Sequence, residues 1–275
     1  MGSRRTSFVF KVRCIRRTFA ATQLSRVFSE MKTSRALMDI PTITPGKYNG
    51  FFSFPVAKTG YSGVAIYTNS EIVTPVRAEE GLTGSIQPKP PLSDGERVSS
   101  KYPAAKDMDL AIDEDNPDIL PDLDELDTEG RALVLDFGLF VLINVYCPAD
   151  SADTRYHYKL NFGYLLQERV RCLVAEGREV IVVGDLNACA APIDHAEGKF
   201  PKHAAEFYNL RHRVWIRDWV QPGGEMADIL RYLYPERRGM YTCKGIHPIR
   251  RQPLMRHCRL EHTNTSSRNQ LRNPN

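Results

Sequence analysis

Apolar runs cut short by single glycines organise this chain. The clearest spans residues 179–187, Glu-Val-Ile-Val-Val-Gly-Asp-Leu-Asn. Four consecutive β-branched residues, Val180 to Val183, predict a strand buried on both faces, and Gly184 closes it. Upstream, Tyr158, Phe162, Leu165, Leu166, Leu173 and Val174 recur at helical spacing and predict a helix over 154–176. Asp153 or Thr154 can cap it, and Gly177 stops it. Residues 132–136 and 139–146 read as a hairpin turning at Phe137-Gly138, the second strand ending in Tyr146-Cys147-Pro148. Strand, helix, strand in that order predicts an α/β fold. Further strands are expected at 51–54 and 61–68, and further helices at 204–219 and 228–234. A short helix can begin at 32–38, before the Pro41 and Pro45 breaks. Beyond Cys243 no period survives.

Candidate chemistry sits where the strongest strand ends. A residue just past a strand projects into the loop layer, where α/β proteins build their sites. Asp185 there is a hard oxygen ligand or a general base. Asn187, two residues on, offers an amide donor for a phosphoryl oxygen. Gly-Asp-Leu-Asn taken alone also fits an ordinary turn, because Gly and Asn are turn residues.

Charge divides the chain more sharply than it biases it. The net charge of +4 is too small to argue for a polyanionic partner. Yet residues 1–29 hold seven Arg or Lys and no acid, residues 104–129 eleven acids and one Lys, and residues 244–275 seven Arg or Lys and one Glu. The basic first 29 residues read as a disordered tail or as a mitochondrial presequence. Residues 84–129, with prolines at 88, 90 and 91 and then the acidic block, read as a mobile, solvated insert that would repel nucleic acid. The tail 244–275 reads as disordered. The six cysteines fall at no ligand spacing, so neither a zinc site nor a disulfide framework is expected, and a reducing compartment is the default. No run of 18 apolar residues argues for a membrane span.

Several stretches taken together resemble one family. They are Gly184-Asp185-Leu186-Asn187, Tyr146-Cys147-Pro148, the segment 51–68, Ala78-Glu79-Glu80-Gly81-Leu82, and Arg238-Gly239-Met240-Tyr241-Thr242-Cys243. In this order they resemble fungal class II apurinic/apyrimidinic endonucleases, in the exonuclease III branch of the endonuclease/exonuclease/phosphatase superfamily, over about residues 28–243. The resemblance implies a four-layer α/β sandwich of two packed sheets flanked by helices. It implies hydrolysis of DNA 5′ to abasic sites, with a possible 3′-phosphodiesterase or exonuclease activity, in the nucleus or alternatively the mitochondrion. It further implies Mg²⁺, with Mn²⁺ possible, held by Glu30 together with Asp185 and Asn187. Asp185 would activate water, Asn187 would steady that aspartate and the phosphate, and Tyr146 would contact the phosphate. These four should converge at one mouth of the sandwich. Arg155 and Lys159, near the start of the long helix, could touch DNA phosphates or be ordinary solvated helix charges.

The ends depart from the family's pattern. No Asn-Gly-Ile/Leu-Arg strand precedes Glu30, and neither an Arg-Ile-Asp nor a Ser-Asp-His strand follows Cys243. The one Asp-His, Asp194-His195, lies nine residues past Asp185, too close to serve as the family's pair. Ala149 stands where the family carries Asn, and Lys244 where it carries Trp. These departures predict an incomplete domain of low solubility and little activity. A catalytically defective homologue, or a superfamily phosphoesterase acting on a lipid or inositol phosphate, are the competing readings.

Overall fold

The computed structural model describes residues 7–11, 25–56, 60–112, 121–149, 155–194 and 209–239. Among the described residues nine strands form two sheets. The larger runs β5 (Arg77–Glu80), β6 (Ala132–Asp136), β7 (Val141–Tyr146), β8 (Val180–Asp185), β1 (Ser7–Lys11) and β9 (Met226–Asp228). The smaller runs β2 (Ser25–Ser29), β4 (Val64–Asn69) and β3 (Tyr48–Ser53).

The expected hairpin is present. β6 and β7 are antiparallel, joined through Gly138 at φ 80°, where Phe137 N–H donates to Phe140 O at 2.9 Å. The chain then crosses over through helix α3 (Tyr156–Ala175) to β8, which lies parallel to β7. Gly177 ends α3 with a left-handed residue, letting Arg178 N–H reach back to Leu173 O at 3.0 Å.

Both faces of the large sheet are buried, as the unbroken apolar runs require. One face packs on α3 and on α4 (Arg211–Val220) through Val134, Ile143, Val145, Leu165, Leu166, Val182 and Trp215. The other meets the small sheet through Leu133, Leu135, Leu142, Val183, Val64 and Ile66. Outside the small sheet the short helix α1 (Ile40–Ile43) lies against β3, and Tyr67 Oη donates to Thr42 O at 2.9 Å. The order helix, sheet, sheet, helix is the four-layer sandwich expected. Each buried aliphatic side chain in these layers contributes about 1.5–3 kcal/mol.

Two expectations are corrected. The basic residues 1–29 are not without order where described, since β1 and β2 are strands of the two sheets. Their charge hid short strand-forming triplets, Phe8-Val9-Phe10 and Arg26-Val27-Phe28. Nor are residues 84–129 a free loop. Val98, Leu110, Ala111 and Leu126 are buried, the last in helix α2 (Leu123–Asp127). Asn161 of α3 holds both the N–H and the carbonyl of Ala111, at 2.7 and 2.9 Å. Glu176 accepts from Ser100 and Lys101, and Glu79 from Val98 and Tyr102. Sparse apolar residues found pockets in the core, and acids of the block itself became hydrogen-bond acceptors, Asp127 for Leu82 and Thr83 and Asp124 for Ser85. Residues 113–120 of the acidic block lie outside the described residues.

Helix α4 covers part of the helix expected over 204–219, and α5 (Ile229–Leu233) most of that over 228–234. In place of a helix over 32–38 there is one 3₁₀ turn, Arg35–Leu37. The readings for 240–275 fall outside the described residues, as does His195. Among the described residues no helix is long and apolar enough to cross a membrane.

Candidate active site

Two strand ends set the site. Tyr146 and Asp185 are register partners at the last rung of the parallel β7–β8 pair, so both project from the same end of the large sheet. Gly184 has φ 118°, and a Cβ there would lie 2.0 Å from Val145 O, so no side chain fits between the strand and the aspartate. Glu30 follows β2 directly, which brings the end of the small sheet to the same mouth. Its Oε1 accepts from Tyr146 Oη at 2.5 Å. Lys32 Nζ stands 3.6 Å from the same oxygen, both groups partly solvated.

The loop after β8 is pinned from three sides. Asn187 N–H donates to Asp185 Oδ1 at 3.0 Å. Asn187 Nδ2 donates to Cys147 O at 2.7 Å, tying this loop to the one after β7. Lys159 Nζ, buried, donates to Asn187 O at 3.1 Å. The four residues predicted to converge therefore do so: Glu30 and Tyr146 in contact, Asp185 beside Tyr146, and Asn187 holding Asp185. Asn187 acts first as a clamp, with one amide hydrogen and Oδ1 left over for a ligand.

The two helix cations are placed differently from a solvated face. Lys159 is buried beneath the Asn187 loop. Arg155 bonds Tyr61 Oη at 2.8 Å and Glu129 Oε1 at 2.7 Å, with about a third of its side chain exposed. Asp194 pairs with Arg231 away from the site.

Backbone strain collects at this mouth. Glu30 (φ 55°), Lys32 (50°), Ser62 (49°) and Asn187 (46°) are the four non-glycine residues with positive φ among the described residues. Met31 and Lys32 donate to Gly63 O and Ser62 O, so the first three form one crossing. Each such residue costs about 1–3 kcal/mol and persists only where its surroundings enforce it.

Electrostatics follow from the acids. Burial, the bond to Glu30, and the charges of Glu30 and Asp185 push the Tyr146 phenol upward, against a smaller opposing effect of Arg131. Tyr146 is thus a neutral donor. Burial and the Asp185 charge push the Cys147 thiol up to about 12, so it is an inert neighbour rather than a nucleophile.

The donor set fits a hard divalent cation. No cluster of three His, Cys, Asp or Glu exists among the described residues, which suits zinc poorly. Mg²⁺ asks for only one or two carboxylates and keeps its waters. Glu30 and Asp185 each use one oxygen in the contacts above.

Sequence reasoning missed the layer behind Tyr146: Arg131, Glu129 and Tyr61. One signal was available. Arg131 is a charge directly before four apolar strand residues, where a buried charge demands partners.

Two packed sheets thus carry two acids and a phenol at one pair of strand ends. The chain matches the Endonuclease/Exonuclease/phosphatase family over residues 27–228 and belongs to that family. Among curated relatives, the DNA-(apurinic or apyrimidinic site) endonuclease 2 of Schizosaccharomyces pombe is 36% identical over 206 residues, covering 71% of this chain and 37% of that protein. Its human namesake is 32% identical over 233 residues, covering 78% and 41%. Among solved structures, the catalytic domain of Xenopus laevis APE2 superposes with a TM-score of 0.62 at 31% identity, covering 78% of this chain and 65% of that one. The chain spans about two-fifths of the length of these two curated relatives.

Proposed function

We propose that this site hydrolyses the phosphodiester 5′ to an abasic nucleotide in duplex DNA, with a divalent cation, Mg²⁺ or Mn²⁺. The observation that carries the reading is the meeting of Glu30, Tyr146 and Asp185 at one pair of strand ends. Two relatives bear an abasic-site endonuclease name, which supplies the substrate class.

Each residue has a role set by its chemistry. Asp185 orients a water and takes its proton. Asn187 keeps the carboxylate from turning. The neutral Tyr146 phenol donates to a phosphoryl oxygen as charge builds there. Glu30 and Asp185 would hold the cation, which offsets charge on the phosphoryl oxygens and the leaving group. Lys32, near Glu30 and solvated, and Arg155 at the helix start suit contacts to flanking phosphates. An abasic sugar has no base to unstack, so turning it toward the site costs little. A DNA substrate suits the nucleus.

The experiment is a nicking assay on a duplex with one abasic site, with Mg²⁺, Mn²⁺ or chelator. One metal-dependent cut 5′ to the abasic sugar is expected. Equal cutting of an undamaged duplex, or none above buffer, contradicts the reading. Release of phosphate from an inositol or lipid phosphate instead would move the chain to that other substrate class.

A further inference from the structure

Behind the phenol lies a buried guanidinium that the proposed mechanism does not use. Arg131, immediately before β6, is 2% exposed. Its Nε donates to Glu129 Oε2 at 2.6 Å, one terminal nitrogen to Tyr61 Oη at 2.7 Å, and the other to Tyr146 O at 2.9 Å. Tyr146 N–H in turn donates to Arg131 O at 2.8 Å. The guanidinium carbon also sits 4.9 Å from the centre of the Tyr146 ring and 5.4 Å from that of Tyr61. The guanidinium therefore holds the carbonyl of Tyr146 by one hydrogen bond and its ring by a face contact, and the main chain of Arg131 adds a second backbone bond. Glu129 and Tyr61 are themselves braced by Arg155.

We propose that Arg131 is a positioning residue for Tyr146, fixing the ring and strand end that aim the phenol at the scissile phosphate; this deepens the reading of the site above and rests on it. A buried ion pair is a poor way to gain stability, since apolar residues of equal volume commonly do as well. What it supplies is direction. Arginine's planar fork can satisfy an acid, a phenol and a carbonyl at fixed angles at once, whereas lysine offers a point charge without that fork. The Tyr146 hydroxyl lies at the far end of a long side chain, so a small tilt at the ring becomes a large displacement at the oxygen. Catalysis is sensitive to displacements of that order.

The test is a double-mutant cycle in kcat on the abasic duplex. Tyr146→Phe should lower kcat by about 10²-fold, as loss of one transition-state donor does. Arg131→Lys should lower kcat about tenfold with KM within about twofold, because the phenol is misaimed rather than removed. The double variant should be no slower than Tyr146→Phe by more than about twofold, since Arg131 acts through the hydroxyl. Multiplied effects, or an unchanged kcat in Arg131→Lys, overturn the proposal. Should Arg131→Lys fail to fold, Tyr61→Phe replaces it in the cycle: it keeps the cation and removes an acceptor, and the same non-additivity is expected. A wild-type chain that cuts no abasic duplex defeats the reading of the site and the proposal with it. A wild type that cuts while the effects multiply defeats the proposal alone.

Discussion

The two ends of the β6–β7–β8 sheet both gather acids, and they treat them oppositely. At the end away from the site, Asp136 is fully buried. It is bonded by Arg178, by Arg77 at 3.1 Å and by the Gly138 N–H at 2.7 Å. Burial alone would raise its pKa, but these partners outweigh it and hold the carboxyl below the usual range. At the other end Glu30 and Asp185 have a phenol, a backbone amide and one solvated lysine. The arginine nearest them, Arg131, is engaged by Glu129. An acid saturated by arginines is a structural tie. Two acids left without one, Glu30 on strained backbone and Asp185 beside a neutral donor, have the free oxygens that a cation would need.

The comparison can be broken by exchanging one acid at each end. Asp185→Asn should lower nicking by at least about 10³-fold, the order expected for loss of a base and a metal donor together. Its unfolding midpoint should move little. Nicking within tenfold of wild type would show that Asp185 is not the base. Asp136→Asn should do the reverse. Removing one partner of a buried pair costs about 3 kcal/mol, read by urea unfolding, while kcat of the folded protein stays within about twofold of wild type. Loss of kcat without loss of stability would erase the contrast.

Acidity sharpens it further. The Asp136 carboxyl is more acidic folded than unfolded, so its stabilisation is complete above about pH 4, the ordinary aspartate value. It is lost as pH falls through the lower folded-state value. The stability gap between wild type and Asp136→Asn should therefore narrow on acidification below about pH 4. A gap that widens would reverse the sign. The smallest effect is expected at Arg155, which is partly solvated and shares Glu129 with Arg131. Arg155→Ala should cost no more than about 1 kcal/mol, yet weaken DNA binding and flatten its salt dependence by about one phosphate contact. An unchanged salt slope would leave Arg155 as a brace only.

The strands that carry the site were legible because their buried faces force unbroken apolar runs. Residues 132–136, 180–183 and all but the first two of 139–146 read as strands for that reason, and with them the crossover that aligns Tyr146 with Asp185. Glu30 was reached only through resemblance, since an acid after a short, part-exposed strand has no periodic signature. The readings that failed were those where charge was taken as a sign of solvation. Phe8-Val9-Phe10 hid among arginines, and Lys159, expected either to touch DNA phosphates or to be a solvated helix charge, lies buried under the Asn187 carbonyl. Glu129 belonged to an acidic block that looked mobile, yet it pairs with Arg131 and Arg155. A side chain's charge says that partners are needed; only the tertiary fold says whether water or an arginine supplies them.

The central claim is that the unsaturated acids form a divalent-cation site and the saturated one does not. Mn²⁺ binding followed by electron paramagnetic resonance tests it without relying on cleavage. Wild type and Asp136→Asn should bind Mn²⁺ alike, while Glu30→Gln and Asp185→Asn should each bind at least about tenfold more weakly, as expected when a carboxylate ligand of a hard cation becomes an amide. Equal Mn²⁺ affinity in all four proteins, or weakening only in Asp136→Asn, would contradict it.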